Sequence, residues 1–234
     1  MTAITFRSDS SVELIDFMGS DAQVVHAARI STGGNRLEPM PKTTAGLINY
    51  LIKNRHGTPF EHNAFTFRVE CPIFVAREFM RHRCASFNEE SGRYKQLDAV
   101  FWVPEPARPL VQTGKPGHYI METGTEEQHE EACNVLKVTA AYCYEQYTHL
   151  LNIGVAREVA RACLTVGIYT SFYVTMNARG LMNFLSLRVD DPDAAYPSKP
   201  QFEIEQAARQ MEAEFQKKMP VTHTAFQSSG RVAP

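Results

Sequence analysis

The sequence predicts an α+β fold, a mixed α/β arrangement in which helices pack on a central sheet. Stretches with the two-residue period of strands and the 3.6-residue period of helices occur along the whole chain. They neither alternate strictly nor separate into two halves, which is the pattern of this class. No Gly/Ser/Pro-rich linker, change of composition or internal repeat divides the 234 residues. We therefore expect a single domain over residues 1–234.

The first third of the chain predicts three strands and two helices. Residues 2–18 contain two short strands, TAITFR and VELIDFM, and DAQVVHAARIS follows as a helix with Asp21 as its cap. A second helix, TAGLINYLIKN, has Thr43 or Thr44 at its start. The segment NAFTFRVE (63–70) alternates apolar and polar residues, which is typical of a strand.

The rest of the chain predicts four further helices, a short helical segment and one strand. Pro72 occupies a favoured helix-start position, and IFVAREFMRHRCA continues as that helix. SFNEESGRYKQL and residues 103–124 are polar or rich in Pro and Gly, so we expect them to be irregular. The longest helix runs from its cap, Thr125, to about Leu151. A short helical segment (VAREVARACL), a strand (IYTSFYVTM), the helix NARGLMNFLSLR and a final helix over about 201–218 complete the order.

Composition limits the class of protein. With 24 basic and 26 acidic residues the net charge is −2, which does not support a globally basic nucleic-acid-binding domain. The five cysteines include no CxxC pair, as expected in a reducing cytoplasm. The first residues lack a signal-peptide pattern, and no apolar stretch reaches the roughly 18 to 20 residues of a membrane helix. We expect a cytoplasmic protein without nucleic-acid or membrane partners.

The segment from Arg77 to Lys95 concentrates positive charge around an Arg-His-Arg triplet at 81–83. One interpretation is a solvated helix end, where cations complement the helix dipole. However, Arg77 and Arg81 are four residues apart and share a helix face, so they repel each other unless an anion lies nearby. Arginine forks match phosphate oxygens, so phosphate binding is the natural inference.

A second basic cluster contains Arg157 and Arg161, which are also four residues apart. Glu158 precedes Arg161 by three residues. A structural salt bridge is the default interpretation there, and a ligand contact is the alternative.

A third cluster contains Asn177, Arg179, Asn183 and Arg188. On one helix Arg179 and Asn183 lie side by side, whereas Asn177 and Arg188 are about 16 Å apart along the axis. Because Asn is a poor interior helix former, specific partners such as a ring or base edge are as plausible as a purely structural role.

A fourth segment, His56-Gly-Thr-Pro-Phe-Glu-His62, invites a metal interpretation. Its spacing differs from the helical HExxH pattern, and Gly57 and Pro59 interrupt a helix, so we expect a turn and no metal site. GxSxG, GxxxxGK[ST] and GxGxxG are all missing from the sequence, which removes the main signals of hydrolases, P-loop proteins and ordinary dinucleotide folds.

Four segments in order resemble the flavin-dependent thymidylate synthases. Their signature, RHR followed by seven residues and Ser, stands here as Arg81-His82-Arg83-CASFNEE-Ser91 and continues as SGRY. HGTPFEH lies upstream, and REVAR, YTSFYVTMNAR and LMNFLSLR follow downstream, so the resemblance covers about residues 50–190. The chain departs from the family pattern at Glu78, where glutamine is common, and at Thr165 and Gly180, where proline and serine are usual.

The resemblance implies two sets of ligand contacts. The set implied for FAD is Thr58, Arg81, His82, Arg83, Glu89, Asn177, Arg179 and Asn183. The set implied for dUMP is Glu78, Phe79, Met80, Arg81, Glu89, Glu90, Ser91, Gly92, Arg93, Arg161 and Arg188. Arg188 is also the implied catalytic residue, which would stabilise negative charge on the uracil ring near N3.

The implied reaction is the reductive methylation of dUMP to dTMP. NADPH reduces the bound FAD, methylenetetrahydrofolate supplies one carbon, and no cysteine nucleophile is required. In this family several sites are assembled from different subunits of a homotetramer. His56 and Tyr94 are candidates for lining the folate site. The alternatives are a nucleic-acid-binding module that uses RHR and NAR, and a non-catalytic nucleotide-binding relative.

Overall fold

Residues 3–33, 44–115 and 118–234 are described in this computed structural model. The strands within these ranges are β1 (Thr5–Arg7), β2 (Ser11–Met18), β3 (Ala64–Pro72), β4 (Ser86–Glu89), β5 (Val100–Trp102), β6 (Val111–Lys115), β7 (His118–Glu122) and β8 (Tyr169–Met176). The helices are α1 (Asp21–Arg29), α2 (Thr44–Lys53), α3 (Ile73–Phe79), α4 (Glu126–Asn152), α5 (Arg157–Ala160), α6 (Ala178–Arg188), α7 (Phe202–Lys218) and α8 (Pro220–Ser228). This mixture of helices and sheets confirms the predicted fold class.

The chain forms two compact units, each from separated segments. The first comprises the chain up to Asp9 with Cys71–Arg77 and Glu89–Thr170. The second comprises Ser10–Glu70, Glu78–Asn88 and Ser171–Pro234. The expectation of one domain over residues 1–234 stays a prediction.

The second unit is built on strands that neighbour one another in the order β2-β3-β8-β4. β2 and β3 are antiparallel from Ser11↔Glu70 to Met18↔Ala64, with a bulge near Leu14. The alternation that predicted β3 comes from burial of one face, since Phe65, Phe67 and Val69 are fully buried.

Helix α7 covers β2 at the edge of this sheet. Gln210 donates to the carbonyl of Ser10 at 2.8 Å and accepts from the main-chain N–H of Val12 at 3.0 Å. This side chain therefore satisfies main-chain groups that an edge strand leaves open. Phe215 of α7 packs edge-on against Phe65, with 5.7 Å between ring centroids.

The start of α1 corrects the predicted cap. Ser20, not Asp21, is the N-cap, and its hydroxyl accepts from the N–H of Gln23 at 3.1 Å. The buried carboxylate of Asp21 instead accepts from the N–H groups of Val221 and Thr222 at 3.0 and 2.8 Å. It thereby satisfies two free donors in the first turn of α8, a helix beyond the predicted final one. Thr43 lies outside the described residues.

The first unit contains β1 and β5, which pair in parallel from Thr5↔Val100 to Arg7↔Trp102. Helix α4 packs beside them through Tyr144, whose ring lies 6.0 Å from that of Phe101 and whose hydroxyl donates to the carbonyl of Leu97 at 3.0 Å. Trp102 packs edge-on against Phe74 at 5.1 Å. The predicted cap of α4 is confirmed, because Thr125 and Gln128 form a reciprocal capping box.

Several predicted boundaries are wrong, for identifiable reasons. The helix predicted over 73–85 ends at Phe79, and successive turns follow as the N–H groups of Arg81 and His82 bond the carbonyls three residues before them. The segment predicted to be irregular contains the strand Ser86–Glu89, which is polar because it lies at a sheet edge. Within 103–124, β6 and β7 form an exposed hairpin that lacks the buried face which produces strand periodicity.

Among the described residues, no helix combines the length and apolar character needed to cross a membrane.

Candidate functional site

In the second unit, Arg188 at the end of α6 is held by two residues near the end of α3. Its Nη1 lies 2.6 Å from a carboxylate oxygen of Glu78, and its Nη2 donates to the main-chain carbonyl of Glu78 at 3.4 Å. Its Nε donates to Nε2 of His82 at 3.0 Å. All three guanidinium nitrogens therefore have partners, which fixes the direction of this side chain.

His82 is kept neutral by this arrangement. Burial and the positive charge of Arg188 outweigh the attraction of Glu78 and lower the pKa of His82 to about 4. Because Nε2 accepts a hydrogen bond from Arg188, the proton of the neutral ring lies on Nδ1. The ring also packs edge-on against Phe184, with centroids 4.8 Å apart.

The residues next to His82, from Phe79 to Arg83, divide into exposed and buried side chains. The guanidinium groups of Arg81 and Arg83 are exposed and have no ion-pair or hydrogen-bond partner in the described part of the chain. Met80 is 38% exposed, whereas Phe79 is fully buried between Phe172 and Phe184.

Arg179 lies on the first turn of α6, also in the second unit. Its Nη1 lies 2.5 Å from a carboxylate oxygen of Glu61, and its Nε donates to the carbonyl of Pro234 at 2.7 Å. Gly57 faces the same guanidinium, since a Cβ at Gly57 would lie 2.6 Å from the Nε. Thr58, which begins the 3-10 turn Thr58–Glu61, is exposed. The predicted turn in HGTPFEH is confirmed.

Asn177 is a helix cap and not an interior residue, which corrects the expectation drawn from its poor helix propensity. Its side chain accepts from the N–H of Gly180 at 2.8 Å. Asn183 is exposed on α6. Sequence reasoning did not single out Asn63, which is buried and accepts from the N–H of Ala178 at 2.6 Å. Its only signal was its position directly after HGTPFEH.

The first unit holds the remaining basic side chains. Nε of Arg93 lies 2.9 Å from a carboxylate oxygen of Glu158, so Glu158 forms a structural salt bridge, and its partner is Arg93. The guanidinium of Arg161 is exposed and has no partner among the residues that the structure describes. The aliphatic part of this side chain packs near Gly92, where an added Cβ would lie 3.3 Å from Cδ of Arg161.

Acidic and hydroxyl groups occupy the rest of this segment. Glu89 accepts from the hydroxyl of Thr170 at 2.6 Å. Lys95 lies 2.9 Å from Glu90, and hydrogen bonds to Glu90 and Asp98 raise the pKa of Lys95. The hydroxyl of Ser91 accepts from the N–H of Arg93 at 3.3 Å.

Within the described ranges, no group of three or more His, Cys, Asp or Glu side chains is arranged to hold a metal ion. The exposed guanidinium groups of Arg81, Arg83 and Arg161 instead suit anions. Guanidinium groups of this kind pair with the oxygens of anionic ligands such as nucleotide phosphates.

Comparison with known proteins identifies the family. The family model for the thymidylate synthase complementing protein matches residues 13–221. The chain is 52% identical to the flavin-dependent thymidylate synthase of Streptomyces coelicolor, over 99% of this chain and 96% of that protein. It is 49% identical to that of Tropheryma whipplei strain TW08/27, over 98% and 97% of the two chains.

Solved structures agree with this assignment. The UMP/dUMP methylase PolB from Streptomyces cacaoi, bound with 5-Br UMP, superposes with a TM-score of 0.93 at 50% identity over 99% of both chains. The same protein bound with 5-Br dUMP gives a TM-score of 0.94 over 99% of this chain and 100% of that one. The chain belongs to the flavin-dependent thymidylate synthase family, which confirms the resemblance carried by the four sequence segments.

Proposed function

We propose that this enzyme converts dUMP to dTMP, with methylenetetrahydrofolate as the carbon donor and NADPH as the reductant of a bound FAD. In this reaction one carbon passes from the folate to C5 of the uracil ring, and a bound flavin would supply the hydride that reduces this carbon to a methyl group. Tetrahydrofolate and NADP⁺ are the other products. The flavin supplies the hydride chemistry when bound, and the protein orients and polarises the reactants. The observation that carries the proposal is the guanidinium of Arg188, fixed by Glu78 and His82.

Arg188 is proposed to stabilise the negative charge that develops on the uracil ring near N3. A positive group held in place before the reaction stabilises such charge without reorganisation. Glu78 and His82 together hold all three nitrogens of this guanidinium. Ser91 is proposed as a contact of the phosphate or the base. Its hydroxyl oxygen accepts a hydrogen bond from the main-chain N–H of Arg93, and the hydroxyl hydrogen can still donate.

The residues present fit a flavin adenine dinucleotide. Arg81 and Arg83 are exposed guanidinium groups without partners among the described residues, as a pyrophosphate requires. Asn183 exposes its amide on α6. The full set that we propose to contact FAD is Thr58, Arg81, His82, Arg83, Glu89, Asn177, Arg179 and Asn183.

For dUMP we propose the set implied by the family. Its basic members in the first unit are Arg93 and Arg161, and the exposed guanidinium of Arg161 has no partner among the described residues. The complete set is Glu78, Phe79, Met80, Arg81, Glu89, Glu90, Ser91, Gly92, Arg93, Arg161 and Arg188. Folate contacts at His56 and Tyr94 are supported by the exposure of both side chains.

A homotetramer is also proposed. Its support in the structure is the long helix α4, on which Val135, Val138 and Tyr142 are three and four residues apart and 51%, 62% and 64% exposed. Apolar side chains that follow helical spacing on an exposed face are typical of a surface covered by another subunit.

The purified protein should be yellow or become yellow on addition of FAD. It should then oxidise NADPH and release dTMP only when dUMP and methylenetetrahydrofolate are both present. Flavin absorbance after gel filtration and chromatographic detection of dTMP measure these two properties. Failure to retain FAD, combined with the absence of dTMP, would contradict the proposal. Retained FAD without dTMP would indicate a non-catalytic relative.

UMP is a second candidate substrate. It is favoured by the solved neighbour described as a UMP/dUMP methylase, at 50% identity. Parallel assays with UMP and dUMP decide between one substrate and both. A kcat/KM for UMP below one-hundredth of that for dUMP would remove this candidate.

A further inference from the structure

The guanidinium of Arg179 is held from three directions within the second unit. Glu61 lies 2.5 Å from Nη1, and the main-chain carbonyl of Pro234 accepts from Nε at 2.7 Å. Gly57 closes a third side, where a Cβ would lie 2.6 Å from Nε and 2.7 Å from Cζ. Nη2 has no partner among the described residues, so it is available to a ligand.

The segment that supplies the Pro234 carbonyl is itself firmly anchored by Arg231. This side chain is 4% exposed, and its two terminal nitrogens donate to both carboxylate oxygens of Glu212 at 2.7 and 3.0 Å. Its guanidinium also lies over the ring of Phe226, 5.2 Å from the centroid. Of the residues that follow, Val232 is half-buried, and Ala233 and Pro234 are buried.

The backbone at Arg231 shows how strongly this anchor constrains the chain. Arg231 has φ of 57°, in the left-handed region that a side chain other than glycine rarely adopts. Such a conformation persists only where surrounding contacts enforce it. Here the enforcing contacts are the Glu212 pair and the hydrogen bond from the Arg231 N–H to the Phe226 carbonyl at 3.0 Å.

The carboxylate of Glu212 has a further partner that helps to keep it ionised. His223, which is 3% exposed, lies 3.0 Å from the same carboxylate through its Nε2. Burial opposes ionisation of Glu212, but the hydrogen bonds from His223 and Arg231 outweigh it and lower the pKa of Glu212 to about 2. The carboxylate is therefore ionised at neutral pH and holds Arg231.

We infer that residues 231–234 are a positioning element of the flavin site, which directs Arg179 toward the cofactor through the carbonyl of Pro234. An arginine side chain has several rotatable bonds, and a fixed acceptor at Nε restricts them before the ligand arrives. The Glu212–His223–Arg231 cluster then has a role beyond local stability, because it fixes that acceptor. This inference rests on the proposed contact between Arg179 and FAD.

The test is FAD affinity, measured by quenching of flavin fluorescence, in four proteins that form a double-mutant cycle. These are the parent chain, Arg179→Ala, a chain that ends at Arg231, and a chain carrying both changes. Ending at Arg231 removes the Pro234 carbonyl but keeps the Arg231–Glu212 pair. We expect the shortened chain to bind FAD about tenfold more weakly, and to lose little further affinity in the Arg179→Ala background.

The outcomes separate this inference from the proposed function. If Arg179→Ala weakens FAD binding but the shortened chain does not, the inference is wrong and the flavin site stands. Equal losses from shortening in both backgrounds indicate a general structural effect and also overturn it. If Arg179→Ala leaves FAD affinity unchanged while the parent binds FAD, the proposed contact of Arg179 fails, and the inference fails with it.

Two further variants cover the case in which the shortened chain unfolds. Gly57→Ala leaves residues 231–234 intact and places a methyl group against Nε of Arg179, so it should displace the guanidinium and weaken FAD binding severalfold. Gly46→Ala makes the same change on α2, where a Cβ meets nothing within 4 Å, and is the matched control, with unchanged FAD affinity expected. Thermal unfolding of each variant identifies any loss of fold. Normal FAD affinity in a folded Gly57→Ala protein would contradict the inference.

Discussion

Arg188 and His82 are joined by a hydrogen bond in which the guanidinium Nε donates to the imidazole Nε2 at 3.0 Å. The bond requires an imidazole whose Nε2 carries no proton, because two donors cannot share it. It therefore links the protonation of His82 to the direction of Arg188. His82 lies in the RHR signature and Arg188 in the downstream segment LMNFLSLR, so the bond connects two family segments across 106 residues.

Replacement of Arg188 should remove transition-state stabilisation without removing the flavin. We expect Arg188→Ala to lower kcat about 100- to 1000-fold, the range seen when one preorganised group is lost. Flavin absorbance after gel filtration should stay at the parent level. Arg209→Ala, which removes an exposed guanidinium paired with Glu205 on α7, is the matched control. Near-normal turnover of Arg188→Ala would exclude this catalytic role.

Acidification should destabilise the protein through His82. The pKa of His82 is about 4 in the folded protein and near 6.5 when unfolded, so between these values the unfolded chain binds more protons. Stability from this group is thus complete above pH 6.5 and falls as the pH drops toward 4. His82→Gln should show a smaller decrease in Tm between pH 7 and pH 5 than the parent.

The control for this measurement is His149→Gln, at an exposed position on α4. Its Tm should decrease between pH 7 and pH 5 as much as that of the parent. An identical decrease in His82→Gln and the parent would show that His82 does not carry the effect.

The carboxylate of Glu78 lies 2.6 Å from Arg188 and neutralises part of its charge. Glu78→Gln should keep a hydrogen bond to the guanidinium but leave more positive charge for an anionic substrate. We expect the KM for dUMP to fall about threefold, in steady-state assays at low ionic strength. Glu145→Gln on α4 is a control of the same charge change. A higher KM in Glu78→Gln would show that the carboxylate itself assists binding.

Gly92 packs against the side chain of Arg161. A Cβ there would lie 3.1 Å from Cδ1 of Leu97 and 3.3 Å from Cδ of Arg161, so these neighbours would have to shift by a few tenths of an ångström. We expect Gly92→Ala to raise the KM for dUMP about threefold to tenfold while FAD affinity is unchanged. Gly46→Ala is the control, because a Cβ at Gly46 meets nothing within 4 Å. An unaltered KM would separate Gly92 from the nucleotide site.

Much of the fold could be predicted because its signals are local. The alternation of Phe65, Phe67 and Val69 follows from burial of one strand face, and the capping box of Thr125 and Gln128 marks the start of α4. The helix α8 begins at Pro220, a residue favoured at helix starts, but its cap is Asp21, 200 residues away. Contacts over that separation depend on tertiary packing and leave no periodicity in the sequence.

The candidate site shows the same division. Clustered guanidinium groups and the family segments identified Arg81, Arg179 and Arg188 before their surroundings were known. The partners of Arg179 and Arg188 could not be predicted, because Glu61 is 118 residues from Arg179 and Glu78 is 110 residues from Arg188. The sequence thus shows which residue types are present, and the fold decides which of them touch.

Trp102 allows unfolding of the first unit to be followed by fluorescence. It is the chain's only indole, and it lies in the first unit with its ring edge-on to Phe74. Its emission reports on packing in that unit, and the second unit has no tryptophan to contribute. Thermal unfolding can be followed both by tryptophan fluorescence and by circular dichroism. Comparison of the two curves therefore reveals whether the two units unfold together or in sequence.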